Sequence, residues 1–238
     1  MMAEKELTAI FRAHPHALPN LHAFKLSSSD YHSDDIAALA EFLRPKRHLH
    51  LLDVTVTSRW IGSDPHLCPA LPLSQLMSAL PDLRVVGLGF NFRAAQQHTI
   101  SYMERYLPRN LTALLLWRGS SSRPDSSSKP WINLFAGYKS LRYLHISPGK
   151  DDEIDLQADI LRSPPPSLEL FGYGRQIHPI GRDLATGAAV VRPRWPYPKV
   201  YFRTADDFGN AGWEWLLRHH GDGGVGHWNF MRDADSLR

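Results

Sequence analysis

A sixfold repeat of one short apolar pattern constrains this chain more than any other feature of its sequence. Each copy fits Leu-x-x-apolar-x-apolar, and the first leucines lie 28, 34, 28, 30 and 27 residues apart. The copies begin at Leu21, Leu49, Leu83, Leu111, Leu141 and Leu168. Copies at nearly constant spacing indicate a repeat architecture, in which each unit buries its apolar face against its neighbours.

A short amphipathic segment precedes every copy of the motif. Its apolar residues are three or four positions apart, which is the spacing of one helix face. These segments are 7–13, 35–43, 73–80, 100–107, 131–138 and 156–161. Turn-forming residues such as Pro81 and Asp82 then separate the helix from the motif, and proline ends a helix because it lacks the backbone N–H. The sequence therefore predicts a unit of helix, turn and strand, repeated about every 29 residues.

Strands that are joined by helices run parallel, so the predicted fold class is α/β. We expect a leucine-rich-repeat solenoid, or horseshoe, with parallel concave strands and convex helices. The prediction is a single domain over residues 1–238, with the repeats in 7–175, an irregular connector in 175–199, a C-terminal cap in 200–220 and a flexible tail in 221–238. Within the cap, a strand over 200–203 and a helix over 208–220 are expected to cover the open end of the array.

The repeats resemble the long, helix-containing leucine-rich repeats that follow the F-box in fungal F-box proteins. The resemblance covers residues 7–175 and includes the Leu-Pro-(Asn/Asp)-Leu junction, present at 18–21 and 80–83. It implies a protein–protein interaction module that recognises substrates for an SCF-type ubiquitin ligase. No F-box is evident up to Ala13, so an SCF-type adaptor is an expected partner only if an F-box is present elsewhere.

Composition and the N-terminus predict a cytoplasmic or nuclear protein. The uninterrupted apolar runs are far shorter than the roughly 20 residues that cross a bilayer, so no membrane partner is expected. Glu4, Lys5 and Glu6 stand where a secretory signal needs a basic start and an apolar core. A single cysteine, Cys68, excludes an internal disulfide framework.

The charge pattern argues against nucleic acid as a partner. Basic residues number 27 against 24 acidic ones, a small excess that is not concentrated in one block. The densest basic stretch is Arg44, Lys46, Arg47 and His48. We interpret it as a solvated helix end rather than a phosphate-binding patch.

No motif in the sequence has the spacing of an active site. Residues 221–226 match G-x-G-x-x-G, but they follow a predicted helix, whereas the phosphate-binding fingerprint follows a strand. His219, His220, Asp222 and His227 form the tightest group of potential metal ligands, yet the adjacent histidines point apart on a helix. We therefore predict that the protein is not an enzyme and that it has no catalytic, cofactor-binding or metal-binding residues.

The strands supply the predicted partner site. Side chains alternate along a strand, so if motif positions four and six face the helices, positions three, five and seven share the opposite face, here called the odd-position face. Position three is apolar or aromatic in every copy, which predicts an exposed apolar strip for a protein partner. The predicted partner-binding residues are Leu51, Asp53, Val85, Leu115, Trp117, Tyr143, His145 and Leu170.

Two alternatives remain for this face. Loops such as 119–129 would bury the strip if they folded over it. A small-ligand receptor or an enzyme would use the same face but would require a pocket with a strongly perturbed titratable group.

Overall fold

A computed structural model describes residues 4–28, 33–56, 71–90, 96–118, 127–148, 155–201 and 203–218. Strand and helix alternate along most of this length, as the repeat predicts. The helices of the repeats are α1 (Glu4–Ala13), α2 (Ser33–Leu43), α3 (Leu71–Ala79), α4 (Gln96–Tyr106), α5 (Lys129–Ala136) and α6 (Leu156–Arg162). The strands are β1 (Ala23–Ser28), β2 (Leu51–Val56), β3 (Val85–Phe90), β4 (Ala113–Arg118), β5 (Tyr143–Ser147) and β6 (Leu170–Tyr173).

Strands β1 to β6 pair in chain order and run parallel, which gives an open α/β sheet. Every strand begins at motif position three, as the motif predicts. The pairing also keeps the motif in register: Tyr143 of β5 pairs with Ala113 of β4 and with Leu170 of β6. Equivalent positions of neighbouring repeats therefore lie side by side across the sheet.

A repeated backbone hydrogen bond extends the register one residue before the strands. The carbonyl at motif position two accepts from the position-two amide of the next repeat, for example from Arg84 N to His50 O at 3.0 Å and from Arg142 N to Thr112 O at 2.9 Å. Backbone polar groups in a buried sheet need such partners. Adjacent repeats therefore stack with equivalent residues paired, although their spacing in the sequence varies.

The face that carries positions four and six packs against α1 to α6. Leu52, Val86, Leu114 and Leu144 have no exposed surface and belong to one core with helix residues such as Leu39. In the first repeat, the equivalent side chains are only half-buried because β1 lies at the end of the sheet. This core is the one that the leucine motif predicts.

The segment predicted as an irregular connector is partly regular. Strand β7 (Gln176–Arg182) pairs antiparallel with β6, and β8 (Ala189–Val191) pairs antiparallel with β7. Gly174 has a φ of +54°, which only glycine adopts without strain, and it makes the tight turn from β6 into β7. The hairpin closes this end of the sheet, a role that the sequence assigned to residues 200–220.

The C-terminal segment, defined here as residues 195–218, lies on the odd-position face. It contains three short helices, α7 (Tyr197–Tyr201), α8 (Ala205–Phe208) and α9 (Ala211–Leu217). The predicted strand over 200–203 is therefore wrong, since Val200 belongs to α7. The predicted helix over 208–220 is wrong in its bounds, because Gly209, with a φ of +63°, ends α8 before α9 begins.

The two sides of the sheet thus carry different layers. Helices α1 to α6 cover one face, and the C-terminal segment covers much of the other. Parallel sheets are generally buried on both faces. No helix in the described ranges has the length and apolarity needed to span a bilayer.

Candidate functional site: the odd-position face and its cover

The eight predicted partner-binding residues all lie on the odd-position face, but the exposed strip that they were expected to form is absent. Leu51 and Trp117 are half-buried. The others are buried: Asp53, Val85, Leu115, Tyr143, His145 and Leu170. The prediction of exposure is wrong because the C-terminal segment packs on this face. Burial by loops such as 119–129 was the open alternative, and residues 119–126 of that loop lie outside the described ranges.

A second apolar core forms between the sheet and the C-terminal segment. Tyr143 is at its centre, with its ring 5.6 Å from that of Phe208 and 5.7 Å from that of Trp213. The sheet contributes Val85, Ala113, Leu115, Tyr143, Leu170 and Ile177. The segment contributes Trp195, Val200, Phe208, Trp213, Leu216 and Leu217. Large aromatic groups dominate contacts of this kind, so this core fixes the segment to the sheet.

Lys25 of β1 binds the C-terminal end of α9. Its Nζ donates to the carbonyl oxygens of Trp215 at 2.8 Å, Leu216 at 3.1 Å and Arg218 at 2.6 Å. The last carbonyls of a helix have no partner within the helix and lie at the negative end of its dipole. A lysine from the first strand therefore caps the last described helix.

Arg203 binds the one carbonyl at the end of α9 that Lys25 does not. Its guanidinium donates to Leu217 O at 2.6 Å and to Val200 O at 2.8 Å, which joins the end of α9 to α7. Burial lowers the pKa of Arg203 and is also the main cause of the lowered pKa of Lys25. The carbonyls of residues 215–218 thus all accept from one of two partly desolvated cations.

Asp53 partly compensates the burial of Lys25. Its Oδ2 lies 3.0 Å from Lys25 Nζ, and this carboxylate raises the pKa of the lysine against the larger effect of burial. The two residues share motif position five in adjacent repeats and are register partners. The side chain of Asp53 is buried, and a buried charge without a partner is costly. The contact with Lys25 therefore offsets the burial of both charges.

His145 belongs to a buried hydrogen-bonded chain rather than to an accessible site. Its Nε2 lies 3.0 Å from Gly174 O, which can only accept, so Nε2 carries the hydrogen. Its Nδ1 then accepts from the Tyr143 hydroxyl at 2.9 Å. Burial raises the pKa of Tyr143. Both imidazole nitrogens are engaged, which leaves neither for acid–base chemistry with a ligand.

Each tryptophan of the segment has a cation over its ring. Lys199 Nζ lies 4.5 Å from the ring of Trp195, and Lys25 Nζ lies 4.5 Å from the ring of Trp215. Arg142 lies 5.3 Å from the ring of Trp213. Such contacts add to apolar burial, most of all where solvent is excluded.

The hydrogen bonding of Trp213 is nevertheless incomplete. Its side chain is buried, and its indole Nε1 has no hydrogen-bond partner among the residues described. The same holds for Nε of Arg203. Buried donors without acceptors lower the stability of a packed interface.

The basic stretch that was interpreted as a solvated helix end contains both exposed and buried side chains. Arg44 is exposed and donates to Glu41 Oε1 at 2.9 Å, as a solvated end predicts. Lys46 is fully buried, donates to Pro15 O at 2.9 Å and lies 4.6 Å from the ring of Phe42. Burial lowers the pKa of Lys46. The interpretation is therefore wrong for Lys46, which ties the turn after α2 to the turn after α1.

The structural role of Lys25 and Arg203 at the end of α9 was not predicted from the sequence. A signal for Lys25 was present, because a lysine beside an aspartate at motif position five predicts an ion pair across the strands. Nothing in the sequence indicated that its other partners would be carbonyls almost 200 positions later. The metal- and phosphate-binding patterns that the sequence analysis rejected, in residues 219–227, lie outside the described residues, as does Cys68.

Comparison with known proteins adds no family: no family model matches the chain, and no curated protein or solved structure is significantly similar to it. Among the residues that the structure describes, no group of three or more His, Cys, Asp or Glu side chains is arranged to hold a metal ion.

Proposed function

We propose that the chain is a protein-binding module of the leucine-rich-repeat type that acts through its odd-position face. The observation that carries the proposal is that this face already binds polypeptide, since the C-terminal segment is seated on it through buried aromatic residues. The motif, its spacing and the in-register parallel strands support the repeat type.

The resemblance to fungal F-box proteins supports a more specific form of this function. In that form, the repeats recognise a substrate for an SCF-type ubiquitin ligase, and an F-box contacts the adaptor subunit. Affinity purification of the endogenous protein tests this form. Recovery of the SCF-type adaptor and of the cullin in amounts comparable to the protein supports it. If the purified complex contains an F-box but neither adaptor nor cullin, this form of the function is contradicted.

We further propose that the module has no enzymatic activity of its own. A small-ligand or catalytic use of the odd-position face has little support, because His145 is buried and hydrogen-bonded at both nitrogens.

Site-specific photo-crosslinking in cells tests the protein-binding function. A photoreactive amino acid replaces Ser27 or Trp117, which keep exposed surface on the odd-position face. Matched controls carry it at Glu104 or Arg105, which are exposed on α4 at the opposite face. The proposal expects one reproducible protein crosslinked from the strand positions and not from α4. Crosslinks only from α4, or none above background, contradict it.

A further inference from the structure

We propose that the odd-position face is a binding site for a short amphipathic helix of a partner protein, and that α9 occupies this site in the free chain. This inference rests on the proposed function and names the kind of partner. The partner helix carries a large aromatic residue where α9 has Trp213, and aliphatic residues three and four positions later, where α9 has Leu216 and Leu217.

The spacing of the anchors in α9 is that of a helix bound in a groove. Trp213, Leu216 and Leu217 stand at i, i+3 and i+4, so they share one face of the helix, and all three are buried against the sheet. Ala211 and Arg218, at the two ends, are exposed. Glu214 is buried as well, so burial of α9 is not confined to one face, and the three apolar residues are its anchors in the second core.

Lys25 adds recognition of the helix end. It binds backbone carbonyls of α9 rather than side chains, so it selects for a helix that stops at this point and leaves its last carbonyls free. The positive charge also complements the negative end of the helix dipole. Together with the apolar anchors, Lys25 fixes both the position and the direction of the bound helix.

Two features of α9 make it replaceable by such a helix. It has seven residues, fewer than an isolated helix needs to be stable in water, so it is held by its contacts with the sheet. Its own buried indole N–H has no acceptor within the described part of the chain, which weakens its docking. Its advantage is that it is tethered, and tethering through a short linker corresponds to an effective concentration of roughly millimolar.

The test uses the full chain and a fluorescein-labelled peptide with the sequence of residues 204–218. In an open variant, Trp213→Ala with Leu217→Ala, the tethered helix loses two anchors and leaves the site. Fluorescence anisotropy is expected to show that this variant binds the peptide at least ten times more tightly than the wild-type chain does.

Matched variants identify the site. Adding Lys25→Met to the open variant is expected to weaken peptide binding at least tenfold, whereas adding Glu104→Ala on α4 leaves it unchanged. A peptide with alanine in place of Trp213 is expected not to bind. An open variant that keeps its circular dichroism spectrum and cooperative melting but does not bind the peptide overturns the inference.

Hydrogen exchange of the wild-type chain provides a second measurement, which does not depend on the open variant being folded. The amides of α9 are expected to exchange at least tenfold faster than those of β4, because α9 leaves the sheet without unfolding it. Equal protection of α9 and β4 overturns the inference. If crosslinking from Ser27 or Trp117 still identifies a partner in that case, the proposed function stands and only the helix-exchange inference fails. A wild-type dimer that exchanges α9, detected by light scattering, assigns the site to a second copy and also overturns it.

Discussion

The carboxylate of Asp53 occupies the space directly beside Gly87 on the neighbouring strand, where a β carbon on Gly87 would overlap it. On its other side, the same carboxylate binds Lys25. Gly172 is in the same situation, because the ring of His145 lies over it from the adjacent strand. Glycine at these positions is therefore required by a neighbouring side chain and not by its own backbone angles.

Replacement of Gly87 by alanine is expected to destabilise the protein by about 1–3 kcal/mol, the usual cost of forcing an extra group into a packed core. The cost should fall in an Asp53→Ala background, since the overlapping carboxylate is then absent. Urea denaturation of the four proteins in this double-mutant cycle measures the coupling. If the two substitutions have strictly additive effects on the free energy of unfolding, the Asp53 carboxylate is not the reason that position 87 requires glycine.

Replacement of Tyr143 by alanine is expected to lower stability by about 3–5 kcal/mol, because a fully buried aromatic side chain leaves a cavity and His145 Nδ1 loses the hydroxyl that donates to it. Trp117→Ala, at a half-buried position on the same face, is expected to cost less. Thermal and urea denaturation of both variants provide the comparison. Equal, small effects would mean that the C-terminal segment does not cover Tyr143 in solution.

Leu144 tests the core on the helix side of the sheet. It has no exposed surface, so Leu144→Ala should cost about 2–5 kcal/mol through lost burial and a cavity. Leu184→Ala, in the exposed turn between β7 and β8, is the matched control and should change stability by less than about 0.5 kcal/mol. A loss below about 1 kcal/mol for Leu144→Ala would contradict the strand register.

Tyr138 gives the chain a specific alkaline sensitivity. Its hydroxyl donates to Met103 O at 3.0 Å, and burial raises its pKa from 10.0 to about 12. Below pH 10 the phenol is neutral in both states and contributes no pH dependence. Between pH 10 and 12 it ionises first in the unfolded chain, so the free energy of unfolding should fall with rising pH, by about 2–3 kcal/mol from this group.

Tyr138→Phe removes this contribution. At pH 9 the variant should be less stable than wild type, because Met103 O loses the buried tyrosine donor and keeps the amide of Leu107. The difference should shrink as the pH rises from 10 to 12, as measured by urea denaturation at each pH. Tyr197→Phe, at an exposed ring, controls for removal of a phenol. A constant gap between wild type and Tyr138→Phe across this range would rule out the proposed ionisation.

The repeat made the first part of the fold predictable. Each strand from β1 to β6 begins at motif position three, because burial on the helix side selects leucine or a similar residue at fixed spacing. Once the register was known, the neighbours on the odd-position face followed, including Lys25 beside Asp53. These features were accessible because they depend on local, periodic burial.

The cover on the odd-position face was not predictable by the same route. The C-terminal segment has no copy of the motif, and its contacts join Lys25 to carbonyls of residues 215–218. Such contacts depend on the path of the chain after β8, which no periodicity encodes. A clue was available in the apolar position-three column together with Trp213, Leu216 and Leu217, two apolar surfaces that each needed a partner.

The reversal of chain direction at Gly174 also restricts how an array of this kind lengthens. Strand β7 uses the edge of β6 in the antiparallel sense, so a seventh parallel unit has no free edge to join at that position. Duplication of a helix–strand unit between β1 and β6 preserves the parallel register, whereas duplication after β6 would separate the hairpin from its partner strand. Repeat number in descendants of this gene is therefore expected to vary on the N-terminal side of the hairpin, with the β6–β8 unit inherited as one block.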